Sequence, residues 1–230
     1  MLDLSDVTLV SVYDNCHELA LAAADECLKH ARFGDVKLFT DKSFGRETVP
    51  IEPFRNYDAF AQYTNYELPK YIETKHALFF QWDGWIVNPG AWRQEFLDYD
   101  YIGAPWWYTH NNVGNSGFSL RSKRLLDYIA ANRTGFPVRL PEDEILCRVY
   151  RPVLEREGFT WASTELAGRF AFERVAIYPI EETFGYHGMF NWPYILSYEE
   201  IEERVKKAPE YVLKSGHYRE MREAMERRSR

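Results

Sequence analysis

The sequence predicts an α/β protein, a single domain in which helices flank a mostly parallel central sheet and a helical extension ends the chain. The start of the chain supplies the main evidence: an apolar β-branched run at residues 7–12, a helical pattern at 17–32 and a second apolar run at 36–40. This βαβ order predicts two parallel strands joined by a right-handed crossover. A short apolar run at residues 77–80, set between charged residues and a glycine, predicts another buried strand.

The composition is that of a globular protein with an acidic surface. Hydrophobic residues make up 46% and charged residues 27% of the 230 residues, which is enough apolar side chain for a full core. The net charge of −7 argues against a nucleic-acid-binding surface. Aromatic residues reach 17%, which favours a ligand cleft walled by rings, as in many carbohydrate sites. The alternative is a core built from large side chains.

The cysteines favour a reducing compartment. Cys16, Cys27 and Cys147 are odd in number and widely spaced, so they match neither a metal motif nor a disulfide framework. The N-terminus carries acids where a signal peptide has bases, and no apolar run has the length of a membrane span. We therefore expect a cytoplasmic protein, and the sequence leaves its oligomeric state open.

The first ligand candidates lie where the first strand ends. Asp14 and Asn15 follow that strand, and open α/β sheets bind ligands outside the carboxyl ends of their strands. These two side chains are placed to hold the base or ribose of a nucleotide. The alternative is that they cap the helix that follows. We expect Gly34 to end that helix as a C-cap.

Shorter elements surround the buried strand at residues 77–80. A short strand at 49–51 and a helix at 56–72, with a break near Pro69, are expected before it. A helix at 91–97 and a strand at 99–104 are expected after it.

The strand at 77–80 leads directly into the segment Gln81, Trp82, Asp83 and Gly84. A carboxylate at the carboxyl end of a buried strand is a candidate ligand for a small polar molecule or its metal. The alternative for Asp83 is a plain turn residue in front of a glycine.

A second group of candidates lies between residues 106 and 117. Trp106 and Trp107 are either sugar-binding rings or core residues. Two glycines flank Asn115 and Ser116, which predicts a sharp turn or a close approach of the backbone to another group. We expect Ser122 to cap a helix at 123–131.

The third group is an acidic cluster in front of a helical pattern at residues 145–154, which Gly158 ends. Glu142, Asp143 and Glu144 are candidates for a general base, and the alternative is that they stabilise the helix dipole. His187 stands among aromatic residues, where it is either a metal ligand or a packed histidine.

Two further charged side chains, and the end of the chain, have more than one interpretation. Asp100 is expected to bind backbone groups, and Arg121 to pair with a phosphate or an internal acid. From residue 198 the chain is charged and predicts a solvated helix, broken near Pro209. Its basic end, residues 227–230, is an alternative site of peripheral contact with the inner face of a membrane.

Four motifs occur in a fixed order: QWDG at 81–84, DYIGAPW at 100–106, GNSGFSLRS at 114–122 and PED at 141–143. Together they resemble a family of glycosyltransferase-like proteins found beside bacterial surface-polysaccharide genes. The pattern of that family is QxDG, then DYIGAPW, then GNGGFSLRS, then an acidic ED. The resemblance spans residues 7–187, and its second and third motifs are the specific ones.

The resemblance implies a GT-A fold and a nucleotide-sugar transferase. It implies one domain at residues 1–197, with a nucleotide-sugar half at 1–105 and an acceptor half at 106–197, and an extension at 198–230. In such a fold Asp83 would bind a divalent metal, Mn²⁺ or Mg²⁺, with His187 as second ligand. Glu142 and Asp143 match the acid pair that supplies the base, with Glu144 as their neighbour.

The remaining site residues follow from their places in the chain and from what glycosyl transfer requires. Donor binding would fall to Asp14, Asn15, Gln81, Trp82, Asp83 and Gly84. Sugar and acceptor binding would fall to Trp106, Trp107, Asn115, Ser116 and Gly117. The chain departs from the pattern twice: Gln81 stands where a D-x-D motif has its first carboxylate, and Ser116 replaces a glycine.

The function expected from these residues is transfer of a sugar from a UDP-type donor to a surface glycan or its lipid-linked precursor, with inversion. A non-catalytic carbohydrate-binding module is the first alternative, and it leaves the acidic cluster unexplained. A sugar nucleotidyltransferase is the second. It would carry a glycine-rich, basic loop after the first strand, which residues 13–17 lack.

Overall fold

The computed structural model describes residues 1–137 and 141–228. Its strands are β1 (Leu2–Tyr13), β2 (Ala31–Thr40), β3 (Val49–Pro50), β4 (His76–Phe80), β5 (Gly84–Ile86), β6 (Tyr101–Gly103), β7 (Phe118–Ser122), β8 (Ala171–Phe172) and β9 (Gly185–His187). Six of them form a sheet of order β3-β2-β1-β4-β7-β6. Strands β5, β9 and β8 form a second sheet.

The central sheet is mostly parallel. Strands β3, β2, β1 and β4 pair in parallel, whereas β7 is antiparallel to both of its neighbours. Strand β6 therefore runs in the same direction as β1 to β4, and β7 alone runs against them. The predicted α/β class with a mostly parallel central sheet is confirmed.

The α-helices are α1 (His17–His30), α2 (Tyr57–Gln62), α3 (Lys123–Ala131), α4 (Glu142–Glu144), α5 (Arg151–Arg156), α6 (Thr164–Phe170), α7 (Trp192–Ile195), α8 (Tyr198–Val205), α9 (Glu210–Leu213) and α10 (Gly216–Arg228). Two π-helical turns, Tyr63–Glu67 and Ile145–Val149, continue α2 and α4. Five 3₁₀ turns complete the helical segments: Leu68–Tyr71, Pro89–Ala91, Gln94–Asp98, Ile180–Glu182 and Met189–Asn191.

The opening βαβ order is confirmed, but its strands begin at Leu2 and Ala31, earlier than the predicted 7 and 36, and Gly34 is not a C-cap. Helix α1 ends at His30, and Gly34 lies inside β2, beside an irregularity in the pairing of β1 with β2. A Cβ atom at Gly34 would lie 2.1 Å from the carbonyl oxygen of Ser5. Glycine is needed here because the backbones of β1 and β2 approach closely. The local sequence around Gly34 does not indicate this approach.

Several local expectations hold. The helical segment at 56–72 forms as α2 followed by its π and 3₁₀ turns, and the short strand at 49–51 forms as β3. The Ser122 hydroxyl accepts a hydrogen bond from the Leu125 amide and caps α3. Gly158 follows α5 with a φ of 86°.

The helix expected at 91–97 is wrong. Two 3₁₀ turns, Pro89–Ala91 and Gln94–Asp98, replace it, and the backbone between them is extended at Trp92 and Arg93. The extended stretch lets Trp92 pack against Phe96 and Phe184, with ring centroids 5.3 and 4.9 Å apart. Tertiary packing of the indole outweighs local helix propensity at this point.

Many of the aromatic residues form the core. Phe96, Phe118, Phe170 and Phe184 are fully buried and contact one another beneath β7 and β9. The core-building interpretation of the aromatic composition therefore holds for these residues. Cys16, Cys27 and Cys147 are buried free thiols.

The C-terminal extension is helical, as expected, but it is not solvated. Ile201, Val212 and Met221 are each at most 3% exposed and belong to the main core. Arg204 lies over the ring of Trp85 at 4.5 Å. One face of each helix is apolar enough to pack, and its charged residues occupy the other. Ser229 and Arg230, from the basic end, lie outside the described residues.

No helix within residues 1–137 and 141–228 is long and apolar enough to cross a membrane.

Asp100 joins three elements from a buried position. Its carboxylate accepts hydrogen bonds from the Ser122 hydroxyl at 2.5 Å and the Thr160 amide at 2.9 Å, and it pairs with Arg124. Burial alone would raise its pKa, but Arg124 and Ser122 lower the pKa below the ordinary value of an aspartate. Asp100 therefore binds side chains as well as the backbone groups that the sequence suggested.

We expect Asp100→Ala to destabilise the fold by about 2–4 kcal/mol, because it leaves buried donors without an acceptor. Denaturant unfolding would measure the loss. Asp98→Ala, at an exposed position two residues earlier, is the control and should change stability by less than about 0.5 kcal/mol. Equal losses in the two variants would contradict the role given to Asp100.

Candidate active site

A cavity of about 340 Å³ opens at the carboxyl edge of the central sheet. It is lined by the ends of β1 and β4 and by the start of α2, at the sheet edge where open α/β sheets bind ligands. Four of the predicted donor-binding residues meet there: Asp14, Asn15, Gln81 and Trp82. The other lining residues are Ser11, Val12, Tyr13, Phe54, Asn56, Tyr57 and Phe60.

Asp14 and Asn15 form part of the cavity wall instead of capping α1. The N-cap of α1 is Cys16, and its side chain makes no capping hydrogen bond to the helix. Asp14 accepts a hydrogen bond from the Phe54 amide at 2.8 Å and another from the Asn15 side-chain amide at 2.8 Å. The capping alternative for these two residues is therefore wrong.

Sequence reasoning missed the wall formed by Phe54 to Phe60. Asn56 offered a signal, because its side chain accepts from the Ala59 amide as an N-cap does, and this fixes where α2 begins. The sequence carries no corresponding signal for Tyr57 and Phe60. Their position at the cavity depends on how α2 packs across the sheet.

Asp83 and His187 meet in the interior, as the resemblance implied. Asp83 is 5% exposed, and its Oδ1 lies 3.4 Å from His187 Nε2. Its other oxygen, Oδ2, accepts a hydrogen bond from the Met189 amide. Gln81 Oε1 lies 3.2 Å from the same imidazole nitrogen. Gly84 begins β5, which pairs with β9 and sets Asp83 beside His187.

Glu173 is a member of this cluster that the sequence analysis missed. Its Oε1 lies 3.2 Å from His187 Nδ1. Burial alone would lower the pKa of the imidazole, but Asp83 and Glu173 together raise the pKa of His187 to about 10. Glu173 precedes a stretch without regular periodicity, so nothing local marked it.

The donor atoms of this cluster fit a hard divalent cation. Asp83 Oδ1, Gln81 Oε1 and His187 Nε2 converge, and they supply two oxygens and, once a cation displaces the Nε2 proton, one imidazole nitrogen. Asp83 Oδ1 is buried and has no hydrogen-bond partner within the described chain. Glu173 occupies the other ring nitrogen, which is how second-layer carboxylates orient a ligating histidine.

Within the same described residues, no cluster of three or more His, Cys, Asp and Glu side chains is arranged to hold a metal ion. The fit therefore depends on Gln81, whose amide oxygen stands where a D-x-D motif would have a carboxylate.

The loop at residues 115–117 joins the Asp83 cluster to the acidic cluster. The Gly117 carbonyl oxygen accepts a hydrogen bond from the backbone N–H of Gln81 at 2.8 Å. The backbone N–H of Ser116 donates to Asp143 Oδ2 at 3.1 Å. Asn115 adopts a left-handed φ of 55°, and its side chain accepts from the Gly117 amide. The close approach expected here is confirmed: the backbone of Gly117 lies against the imidazole of His187.

Glu142 is a buried, paired carboxylate. It is 2% exposed, and its Oε1 lies 3.6 Å from Arg121 Nη2. Its Oε2 accepts a hydrogen bond from the Tyr57 hydroxyl at 2.7 Å. Arg121 is fully buried, with its guanidinium 4.2 Å from the Phe79 ring, so its partner is an internal acid and not a phosphate.

Asp143 differs from its neighbour. Burial and the nearby Glu142 carboxylate raise the pKa of Asp143 to about 6. Its oxygens accept hydrogen bonds from the backbone amides of Ser116 and Glu144. Glu144 faces the other way and accepts from the Tyr108 hydroxyl at 3.2 Å. An acid with a pKa near 6 is suited to accept a proton near neutral pH.

The two tryptophans have different environments. Trp106 is 7% exposed and packs on Gly114, where a Cβ atom would lie 2.1 Å from its ring. Trp107 is 65% exposed and contacts the ring of Tyr108 at 5.2 Å. The core interpretation therefore holds for Trp106, and Trp107 remains a candidate sugar-binding ring.

A family model matches residues 47–187, which contain the Asp83 cluster, the 115–117 loop and the acidic cluster. The chain belongs to this family, DUF5672. Its description, "protein of unknown function", gives its members no reaction. Asp14, Asn15 and the C-terminal extension lie outside the matched residues. No curated protein matches the sequence.

Solved structures show the fold. A glycosyltransferase involved in glycosylation of the major capsid of PBCV-1 has a TM-score of 0.51 at 13% identity, covering 79% of this chain and 91% of that one. This likeness, together with the mostly parallel sheet, gives a fold of the GT-A type. The galactosyltransferase LgtC, bound to donor and acceptor sugar analogues, has a TM-score of 0.49 at 13% identity, covering 91% of this chain and 98% of that one.

We expect Gly117→Ala to displace His187. The new Cβ atom would lie 2.1 Å from Nε2 of a buried ring, and overpacking of this kind costs about 1–3 kcal/mol. Thermal melts would measure the loss, and the ¹H–¹⁵N signals of the imidazole would report its displacement. Gly135→Ala is the control, because its Cβ would approach only the Asn132 carbonyl oxygen, at 3.5 Å. An unchanged His187 signal would contradict this packing.

We expect the stability of Asp143→Asn, relative to wild type, to increase between about pH 4 and pH 7. The folded state holds the Asp143 proton up to a pKa of about 6, whereas an unfolded aspartate loses it near 3.9. This proton therefore stabilises folded wild type fully below about pH 4, and the stabilisation is lost as the pH rises through 6. Asp143→Asn has no such proton, so its stability relative to wild type increases over this range. Thermal melts across this range, with Asp98→Asn as surface control, would measure it. A constant difference would contradict the raised pKa.

Proposed function

We propose that this protein is a glycosyltransferase that moves a sugar from a UDP-type nucleotide-sugar to a surface polysaccharide or a lipid-linked glycan. The observation that supports it most is that three features lie at one edge of the sheet. They are the 340 Å³ cavity, the Asp83–His187 pair and the Asp143 carboxylate. A fold shared with a capsid glycosyltransferase favours the same class of reaction.

The cavity suits the nucleoside part of the donor. Its volume lies within the range of small-ligand pockets, about 300–1,000 Å³. The rings of Phe54, Tyr57 and Phe60 offer apolar contact to a base, and Asp14 and Asn15 offer hydrogen bonds to ribose or base edges. The diphosphate would then extend from the cavity past Gln81 toward Asp83.

Asp83, Gln81 and His187 would hold a divalent cation, Mn²⁺ or Mg²⁺. Bound there, the ion would neutralise charge on the leaving diphosphate as a Lewis acid. The Met189 amide occupies Asp83 Oδ2 and leaves Oδ1 as the ligand atom. Glu173 holds the His187 ring so that Nε2 faces Asp83.

Asp143 would act as the base. The acceptor hydroxyl oxygen attacks the anomeric carbon, the bond from that carbon to the diphosphate oxygen breaks, and the hydroxyl proton passes to the Asp143 carboxylate. Glu142 is a weaker candidate because Arg121 and Tyr57 already occupy its two oxygens. Direct attack of the acceptor on the face opposite the leaving diphosphate would invert the anomeric centre.

The acceptor would lie on the Trp107 side of Asp143. Tyr108 connects Trp107 to the acidic cluster, because its ring contacts Trp107 and its hydroxyl donates to Glu144, the residue after Asp143. An exposed indole close to the acidic cluster is a suitable stacking surface for a sugar ring. Asn115 and Ser116 would line the opposite side of the acceptor.

Two variants separate the proposed roles. Asp83→Asn should remove the part of UDP binding that depends on Mn²⁺, since it removes a ligand charge. Asp143→Asn should bind UDP with Mn²⁺ as wild type does but release UDP from UDP-hexoses at least about 100-fold more slowly, in line with loss of a general base. Thermal shift measures the binding, because a ligand of the native state raises the Tm. Asp98→Asn is the control for both.

The outcomes distinguish the candidates. Binding of glycans with no response to any nucleotide would replace the transferase with a carbohydrate-binding module. Wild-type turnover in Asp143→Asn would remove Asp143 as the base. Mn²⁺-dependent UDP binding that survives in Asp83→Asn would remove the cluster as the metal site.

A further inference from the structure

The C-terminal extension reaches the rim of the candidate donor cavity. Helix α9 carries Val212 into the main core at 3% exposure, and this anchors the neighbouring Tyr211 above the start of α1. Tyr211 as a whole is 57% exposed, while its hydroxyl makes two specific contacts. A tyrosine that leaves its ring in solvent and satisfies its hydroxyl is held there by the hydroxyl contacts more than by burial.

The first contact is with the cavity wall. The Tyr211 hydroxyl donates to Asn15 Oδ1 at 2.8 Å, and Asn15 Nδ2 donates to Asp14 Oδ1 at 2.8 Å. Asp14 Oδ2 in turn accepts from the Phe54 amide at 2.8 Å. A continuous hydrogen-bonded chain therefore runs from the extension, through both rim residues, to the opposite wall. It fixes the Asn15 amide with its oxygen toward Tyr211 and its nitrogen toward Asp14.

The second contact is with the turn below the rim. Cys16 has a left-handed φ of 50°, a backbone conformation that costs a residue other than glycine on the order of 1 kcal/mol. Its sulfur lies 3.1 Å from the Tyr211 oxygen. Because the hydroxyl proton goes to Asn15, the Cys16 thiol is the donor in this pair. The Tyr211 hydroxyl therefore contacts both the Asn15 side chain and the strained turn at Cys16 that orients Asn15.

We propose that Tyr211 is a positioning residue of the donor cavity, and that the extension outside the family match at 47–187 belongs to the nucleotide site. This rests on the proposed function. Tyr211 acts through Asn15: with the amide oxygen occupied, Asn15 presents its second Nδ2 hydrogen to an acceptor oxygen on the base or ribose. Asp14 keeps acceptor capacity for a ribose hydroxyl. Loss of the hydroxyl frees Asn15 to rotate.

The test is a set of binding measurements with UDP, and with GDP as second probe, by calorimetry on the full chain. Tyr211→Phe should weaken binding about three- to tenfold, the value of one neutral hydrogen bond. Tyr198→Phe is the matched control, because it removes an exposed tyrosine hydroxyl from α8 of the same extension. Both variants should melt within about 2 °C of wild type, since neither removes buried apolar surface.

A double-mutant cycle with Asn15→Ala tests the route of the effect. In the Asn15→Ala background, Tyr211→Phe should weaken binding no further, because the side chain through which it acts is gone. An equal further loss in that background would overturn the proposal. Equal affinity of Tyr211→Phe and wild type, or the same loss in Tyr198→Phe, would also overturn it and leave the proposed function intact. A wild-type protein that binds neither nucleotide would overturn both.

Discussion

The antiparallel pairing of β7 with β4 is the constraint on which the candidate site depends. Because β7 runs against β4, the residues in front of β7 lie beside the residues that follow β4. The contact between the Gln81 amide and the Gly117 carbonyl extends this pairing beyond both strands. The loop at 115–117 is thereby fixed over the end of β4, with Asp143 on one side of it and His187 on the other. A parallel partner at this place would have brought the opposite end of β7 to the site.

The second physical feature of the site is the pairing of its buried charges. Removal of a charge from water is costly, so buried ionised groups persist only with partners. Glu142 has Arg121 and Tyr57, and Asp83 has His187 and a backbone amide. Among the described residues, Asp143 accepts hydrogen bonds from two backbone amides and has the like charge of Glu142 beside it, and its pKa rises to about 6. The lack of a cationic partner within the described chain thus leaves Asp143 ready to take up a proton near neutral pH.

The sequence predicted those parts of the fold that depend on local pattern. The β-branched run of β1, the apolar spacing of α1, the cap at Ser122 and the helix end at Gly158 each involve a few neighbouring residues. Predictions failed where packing between distant elements decided the outcome. Gly34 is a glycine because β1 approaches β2, and the 91–97 segment is extended in its middle because Trp92 packs on Phe184. The charged extension is packed because Ile201, Val212 and Met221 complete the core.

For the site, the sequence by itself determined which residue types follow which strands. Asp14, Asn15, Gln81 and Asp83 were placed at strand ends by hydrophobic pattern alone, and parallel strands bring such ends to one edge. Only the tertiary structure decided which groups meet beyond that edge. Glu173 contacts His187, and the Tyr57 hydroxyl donates to Glu142. The Tyr211 hydroxyl donates to Asn15, although the two residues lie near opposite ends of the sequence. Contacts between residues so far apart leave no local periodicity, because they depend on how helices and loops pack across a sheet.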